Sequence, residues 1–86
     1  MFKNRAENGR ANLCGERVTQ LRKGITPRLS QRALADRLQR AGLDVDKNAI
    51  QRIESGERFV SDIELAALAD ALGTTADDLL LRSHRP

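Results

Sequence analysis

Apolar residues recur along this 86-residue chain at spacings of three and four, the period of a helix with one buried face. The first such stretch covers about residues 13–23, and Gly24 and Pro27 after it predict its end. Four apolar residues share one face of this predicted helix and its end: Cys14, Val18, Leu21 and Ile25. No stretch alternates apolar and polar residues as a half-buried strand does, so the pattern predicts an all-α fold.

Two further stretches show the same period, and each follows a residue that initiates helices. Ser30 is a suitable N-cap for a second helix over residues 31–41, and Asp46 is one for a third helix over residues 47–55. A glycine follows each stretch and predicts its end. The residues expected to face the core from these two helices are Leu34, Leu38, Ile50 and Ile53.

A capping box predicts the start of a fourth helix, because Ser61 is followed three residues later by Glu64. Gly73 predicts its end, and its apolar face is expected to hold Leu65, Leu68, Ala69 and Leu72. A shorter capping signal at residues 75–78 predicts a fifth helix, whose Leu79 closes the core. The chain is therefore expected to form five helices.

The third predicted helix is short and has a polar outer face, so its main role is not to build the core. The side chains on that face are Lys47, Asn48, Gln51 and Arg52. Asn and Gln amides can pair with adenine through two hydrogen bonds, and Arg or Lys can pair with guanine. Two helices joined by a short glycine-containing turn, the second exposing such residues, form the helix-turn-helix arrangement. Ordinary solvent exposure is the alternative for Asn48 and Gln51. Lys47 can equally contact phosphate, and Arg52 can pair with a neighbouring acid.

The first turn of the second predicted helix is a candidate phosphate site, because the backbone N–H groups there have no partner within the helix. Gln31 lies in this turn, and its side-chain amide can add to the site. Three neighbouring residues are expected to contact phosphate rather than bases: Arg28, Ser30 and Arg32.

Three motifs follow one another along the chain: LSQRALADRL at residues 29–38, NAIQRIESG at residues 48–56 and LAALADALG at residues 65–73. In this order they resemble the Cro/lambda-repressor-like (XRE) helix-turn-helix family, and the resemblance covers about residues 17–81. It implies a compact five-helix lambda-repressor-like DNA-binding domain with the helix-turn-helix at helices 2–3. It also implies sequence-specific binding of double-stranded DNA by a small repressor-type transcriptional regulator. The recognition helix, residues 47–55, would enter the major groove.

The resemblance implies roles for single residues as well. Gln31 and Arg58 would contact DNA phosphate. Arg22 would form a structural ion pair with Glu54, which ties the first helix to the recognition helix. The residues that would face base edges are Lys47, Asn48 and Gln51, with Arg52 at the edge of this set.

The chain departs from the family in two loops. The loop before Ser30 is about two residues longer than in the family, and the link from Leu38 to Ile50 is about five residues longer. The residues assigned to base contacts from the resemblance could therefore be displaced by one position along the third helix.

Charge is distributed unevenly along the chain. Residues 1–58 hold thirteen Lys and Arg against seven Asp and Glu, a net charge of +6. Residues 59–81 hold five acids and no Lys or Arg, a net charge of −5. This asymmetry favours a polyanion that docks on one side, with an ordinary solvated surface as the alternative. The expected partner is double-stranded DNA, bound by a homodimer at a two-fold site. The alternative is a protein-interaction module, such as an antitoxin or anti-repressor partner, that uses the acidic face of helices 4 and 5.

Composition argues against several other classes of protein. One cysteine, Cys14, and one histidine, His84, supply neither a disulfide framework nor a tetrahedral metal site, so no metal or cofactor is expected. No Ser-His-acid set or phosphate-cradling glycine loop is present, so no enzyme activity is expected. No signal-peptide or membrane-spanning pattern occurs, which predicts a cytoplasmic, nucleoid-associated protein. The expected organisation is a flexible tail over residues 1–11, a DNA-binding domain over residues 12–82 and a tail over residues 83–86.

Overall fold

Five helices make up the described part of the chain, residues 5, 6 and 8–80 of the computed structural model. In chain order they are α1 Gly15–Gly24, α2 Gln31–Arg40, α3 Lys47–Ser55, α4 Asp62–Leu72 and α5 Ala76–Leu80. No strand occurs among these residues, so the predicted all-α fold with five helices is confirmed. Residues 1–4 and 7 of the predicted N-terminal tail lie outside the described residues, as does the predicted C-terminal tail, residues 83–86.

Three helices begin at the capping residues that the sequence indicates. The side chains of Ser30 and Asp46 each accept a hydrogen bond from the backbone N–H three residues later, at 3.0 and 2.8 Å. At α4 the capping box is complete, because Ser61 accepts from the N–H of Glu64 and the Glu64 carboxylate accepts from the N–H of Ser61. Each cap stabilises its helix by about 1 kcal/mol.

Helix α1 begins two residues later than the predicted start at Leu13. The side chain of Cys14 makes no capping hydrogen bond, and Asn12 Oδ1 instead accepts one from the N–H of Gly15 at 2.9 Å. Helix α2 ends at Arg40, one residue before the predicted end.

Helix α3 packs against both α1 and α2 with its apolar side inward. Ile50 and Ile53 are fully buried, and Val45, which precedes the cap, is buried with them. The other large side chains that are completely enclosed are Val18, Leu34, Leu38, Leu68 and Leu79. Leu65, which was expected in the core, is only half-buried and packs against the core from outside. Helix α3 is therefore fixed on its apolar side, while its polar side faces solvent.

Candidate nucleic-acid interface

Helix α3 exposes the four side chains that the sequence assigns to base contacts. Lys47, Asn48, Gln51 and Arg52 are all exposed. Within the described residues, none of these side chains forms a hydrogen bond or an ion pair, although Ile50 and Ile53 on the same helix are completely buried. The outer face of α3 is therefore a row of unpaired donors and acceptors on a fixed backbone.

An open polar cleft lies between α2 and α3. It brings Arg32 of α2 onto one surface with Lys47 and Asn48 of α3. Two acids, Asp36 and Asp46, line the same cleft and offset part of its positive charge. Two of the predicted DNA-contacting elements thus share one continuous face.

The start of α2 carries the predicted phosphate contacts, which differ in how freely they can move. Arg28 and Arg32 are exposed, and in the described chain neither guanidinium has a hydrogen-bond partner. Ser30 is exposed, and its hydroxyl serves as the helix cap. Gln31 is half-buried, and its amide donates to Glu54 Oε1 at 2.9 Å. The two arginines are free to reach outward, whereas Ser30 and Gln31 are held by contacts within the domain.

Arg22 and Glu54 form an ion pair that joins α1 to the last turn of α3. Arg22 Nε lies 2.6 Å from Glu54 Oε2, and Arg22 Nη2 lies 3.0 Å from Glu54 Oε1. Both side chains are more than nine-tenths buried, and Arg22 Nη1 also donates to the carbonyl of Leu29. Burial alone would raise the pKa of Glu54, but hydrogen bonds from Arg22 and Gln31 and the positive charge of Arg22 outweigh it and lower this pKa.

Arg58, which was expected to contact phosphate, is held at the start of α4. Its guanidinium forms two hydrogen bonds to the Glu64 carboxylate, at 3.1 and 3.0 Å. Hydrogen bonding to Arg58 is the main reason that the pKa of Glu64 is lowered. The sequence analysis identified Glu64 as a capping residue but did not foresee this pair. Any contact between Arg58 and a phosphate must therefore compete with the carboxylate of Glu64.

The segment before α1, residues 10–12, contacts the C-terminal end of α3. Arg10 donates to the carbonyls of Glu54 and Ser55, at 2.8 and 3.2 Å. The N–H of Ala11 donates to the carbonyl of Gly56 at 2.7 Å, and buried Asn12 donates to the carbonyl of Ile53. The sequence analysis placed Arg10 and Ala11 in the tail and gave Asn12 no role. Asn12 could have been found by its position three residues before Gly15, which is the spacing of an N-cap. No sequence signal marks Arg10.

The described residues offer little for other chemistry. No group of three or more His, Cys, Asp and Glu among them can hold a metal ion. Cys14 is a free, buried thiol, and burial raises its pKa, which disfavours the reactive thiolate. His84 lies outside the described residues. In the same part of the chain, no helix is both long enough and apolar enough to cross a membrane.

Comparison with known proteins identifies one family. The family model described as a helix-turn-helix domain matches residues 13–81, which include all five helices. No curated protein and no solved structure matches the chain significantly. Helix-turn-helix domains are DNA-binding domains, and the match agrees with the XRE-like motifs and with the exposed polar face of α3. The chain therefore belongs to the helix-turn-helix domain family.

Proposed function

We propose that this protein is a transcriptional regulator of the repressor type that binds double-stranded DNA in a sequence-specific manner, with α3 in the major groove. The observation that carries the proposal is the contrast between the two sides of α3. The inner side is completely buried, whereas the outer side presents four polar side chains without partners in the described chain. A major groove is about 12 Å wide and admits such a helix with its polar side chains against the base edges.

The proposed base contacts follow from the side-chain chemistry. The amides of Asn48 and Gln51 each offer a donor and an acceptor, which match the N6 and N7 atoms of adenine. Lys47 and Arg52 carry only donors, which match the two acceptors of guanine. Since all four are exposed and unpaired in the described chain, forming these contacts breaks no internal hydrogen bond.

The proposed phosphate contacts surround the start of α2. Arg28 and Arg32 are exposed there and supply positive charge, and the first-turn N–H groups add their partial charge. Gln31 has a second amide hydrogen beyond the one given to Glu54, and this hydrogen can donate to phosphate. Ser30 and Arg58 contribute less in this proposal, because one caps α2 and the other pairs with Glu64.

The proposed assembly on DNA is a homodimer at a two-fold site, with half-sites about one helical turn apart. The sequence points to the exposed parts of α4 and α5, with residues 79–81, as the dimer surface. Leu79 is completely buried and cannot serve. Leu81 lies outside the described residues. Ile63 and Leu80 are the exposed large apolar residues that α4 and α5 leave for this surface.

A protein partner bound to the acidic face of α4 and α5 is the second candidate function. Two of the five acids in residues 59–81 already have internal partners, since Glu64 pairs with Arg58 and Asp78 pairs with Arg17. The acidic face therefore has fewer free charges than the sequence suggests, which favours the DNA-binding proposal.

Selection of bound sequences from a library of random duplexes tests the proposed function. The expected result is an enriched motif with two-fold symmetry, whose binding weakens steeply as salt rises. In the Gln51→Ala variant the selected duplex should bind about 1–3 kcal/mol more weakly, while random duplex should bind almost as before.

Gln20→Ala is the matched control, because it removes the same amide from an exposed position on α1. Equal losses on selected and random duplex in the Gln51→Ala variant would contradict base reading by this residue. If no motif were enriched and the protein instead bound a stable protein partner, the second candidate function would be favoured.

A further inference from the structure

The end of α3 is the part of the molecule that the proposed function does not yet explain. The last four carbonyls of any helix have no partner within it. In α3 the loop after the helix donates to the first of them, Arg52, through the N–H groups of Glu57 and Arg58. The carbonyls of Glu54 and Ser55 receive their hydrogen bonds from the guanidinium of Arg10, and in the described chain no other donor reaches them.

Asn12 makes the second connection between the same segment and α3. Its Nδ2 donates to the carbonyl of Ile53 at 3.1 Å and to the carbonyl of Arg58 at 2.7 Å. Its Oδ1 accepts from the N–H of Gly15, so one buried amide joins the start of α1, the end of α3 and the loop beyond. These contacts span more than forty residues of sequence, and they are therefore tertiary rather than local.

The backbone is closely packed at this junction. A Cβ added to Gly15 would overlap the carbonyl oxygen of Ile53. Gly56 has a φ of 87°, and a Cβ there would lie 2.6 Å from the guanidinium carbon of Arg10. A side chain at Gly15 would push α1 away from the end of α3, and one at Gly56 would displace the side chain of Arg10. The junction is thus a specific, tightly fitted contact.

We propose that Arg10 and Asn12 are positioning residues that fix the orientation of α3 and so determine how well the protein distinguishes its target sequence from random DNA. The proposal rests on the proposed function. Helix α3 is about 13 Å long, so a tilt of about 10° about its C-terminal end would move its first residues by about 2 Å. A hydrogen bond to a base edge tolerates only a few tenths of an ångström. Loose anchoring at Ser55 would therefore weaken the contacts of Asn48 and Gln51 but not those of mobile arginines with phosphate.

A direct contact between Arg10 and phosphate is the alternative, because Arg10 carries a positive charge. The geometry disfavours it. Both terminal nitrogens of the guanidinium already donate to carbonyls of α3, and one of them lies 4.0 Å from the Glu16 carboxylate. The side chain is four-fifths buried. Positioning of α3 and direct phosphate contact differ in how the affinity for DNA should depend on salt and in how it should respond to Arg10→Lys.

The experiment compares Arg10→Ala, Arg10→Lys and Asn12→Ala with the control Arg5→Ala. Arg5 is exposed, carries the same charge and, among the described residues, bonds only to nearby Gly9. Two properties are measured: amide hydrogen exchange of α3 without DNA, and affinity for the selected and a random duplex over a series of salt concentrations. Hydrogen exchange reports on the anchoring even if Asn12→Ala proves too unstable for binding assays.

In Arg10→Ala, exchange should accelerate in the last turn of α3, and the ratio of selected to random affinity should fall about tenfold, as expected for the loss of about 1.4 kcal/mol. The slope of log affinity against log salt should not change. In Arg10→Lys the ratio of selected to random affinity should lie between those of Arg10→Ala and wild type, because an ammonium lacks the planar fork with which a guanidinium reaches two carbonyls. Arg5→Ala should leave both exchange and ratio unchanged.

Two results would overturn the positioning role. One is unchanged exchange in α3 together with an unchanged affinity ratio. The other is equal weakening on both duplexes with a salt slope smaller by about one, fully restored by Arg10→Lys, which identifies a phosphate contact. In either case the wild type still discriminates between duplexes, and the proposed function stands. A wild type that binds neither duplex would instead refute the proposed function itself.

Discussion

Glu54 is the residue on which three parts of the molecule converge. Its carboxylate binds Arg22 of α1 and Gln31 of α2, and its carbonyl accepts from Arg10. Because the carboxylate is buried, removing one partner leaves a charge that water cannot solvate. Glu54 therefore links the stability of the domain to the placement of α3.

The Glu54→Gln substitution should lower the free energy of unfolding at pH 7 by about 3 kcal/mol, because it leaves the buried guanidinium of Arg22 without its counter-charge. The pKa of Glu54 is lowered in the folded state, so its contribution is complete above the unfolded pKa, near 4.5, and is lost as pH falls through the folded pKa. The stability difference between wild type and variant should shrink below about pH 4.5. Urea denaturation at a series of pH values measures it.

Glu57→Gln provides the matched control for this experiment. Glu57 is exposed, lies one turn beyond Glu54, and its side chain has no hydrogen bond in the described chain. Its substitution should change stability by less than about 0.5 kcal/mol at any pH. A Glu54→Gln variant as stable as wild type at pH 7 would show that the ion pair contributes nothing net to folding.

Individual polar contacts were the hardest features to predict from the sequence. The partnership of Arg22 and Glu54 follows from the resemblance to a known family, and the structure contains it. The pairing of Arg58 with Glu64 and the contacts of Arg10 do not follow from any local pattern. A long guanidinium can reach many acceptors, and the choice among them depends on which distant backbone comes near.

At the scale of the helices, boundaries governed by local chemistry were predictable. The bounds of α3 agree with the sequence because both its Asp46 cap and its Gly56 stop act within one turn. The start of α1 does not agree: the helix begins only at Gly15, and Asn12, which accepts from the N–H of Gly15, is also held by α3 and the loop beyond. The N-cap spacing of Asn12 is visible in the sequence, but its contacts with α3 and with the loop beyond are not.

The contact between α1 and the end of α3 leads to a prediction about Gly15. Gly15→Ala should destabilise the domain by about 1–3 kcal/mol, because its Cβ would overlap the backbone oxygen of Ile53 and a backbone atom cannot rotate away. Alanine has a higher intrinsic helix propensity than glycine. A loss of stability in this variant would therefore have to come from the clash and not from helix propensity. Urea denaturation measures the effect.

Gly24→Ala, at the other end of α1, is the control for this substitution. A Cβ at Gly24 would have no neighbour within 4 Å, so this variant should be neutral or slightly more stable. If Gly15→Ala were as stable as Gly24→Ala, the close approach of α1 to α3 would not exist in solution.

The whole molecule has an uneven charge distribution, and the fold modifies what the sequence suggests about it. The acidic second half is partly neutralised, since Arg17 pairs with Asp78 and Arg58 pairs with Glu64. The free positive charge of Arg32 instead lies at the cleft that adjoins the outer face of α3. The surface proposed to bind DNA is therefore defined by which charges remain unpaired after folding, more than by the net charge of each half.

Two arginines of α2 test this definition, because they differ in position but not in chemistry. Arg32 lies in the first turn beside the cleft, whereas Arg40 is the last residue of the helix, and both are exposed. Arg32→Ala should weaken binding to selected and random duplexes alike and reduce the salt slope by about one, because one phosphate contact is lost. Arg40→Ala removes the same charge about 12 Å along the helix, at about 1.5 Å per residue, and should leave the slope unchanged. Fluorescence anisotropy over a salt series measures both. Equal slopes for the two variants would mean that DNA responds to the net charge of the protein, and the start of α2 would then not be the phosphate site.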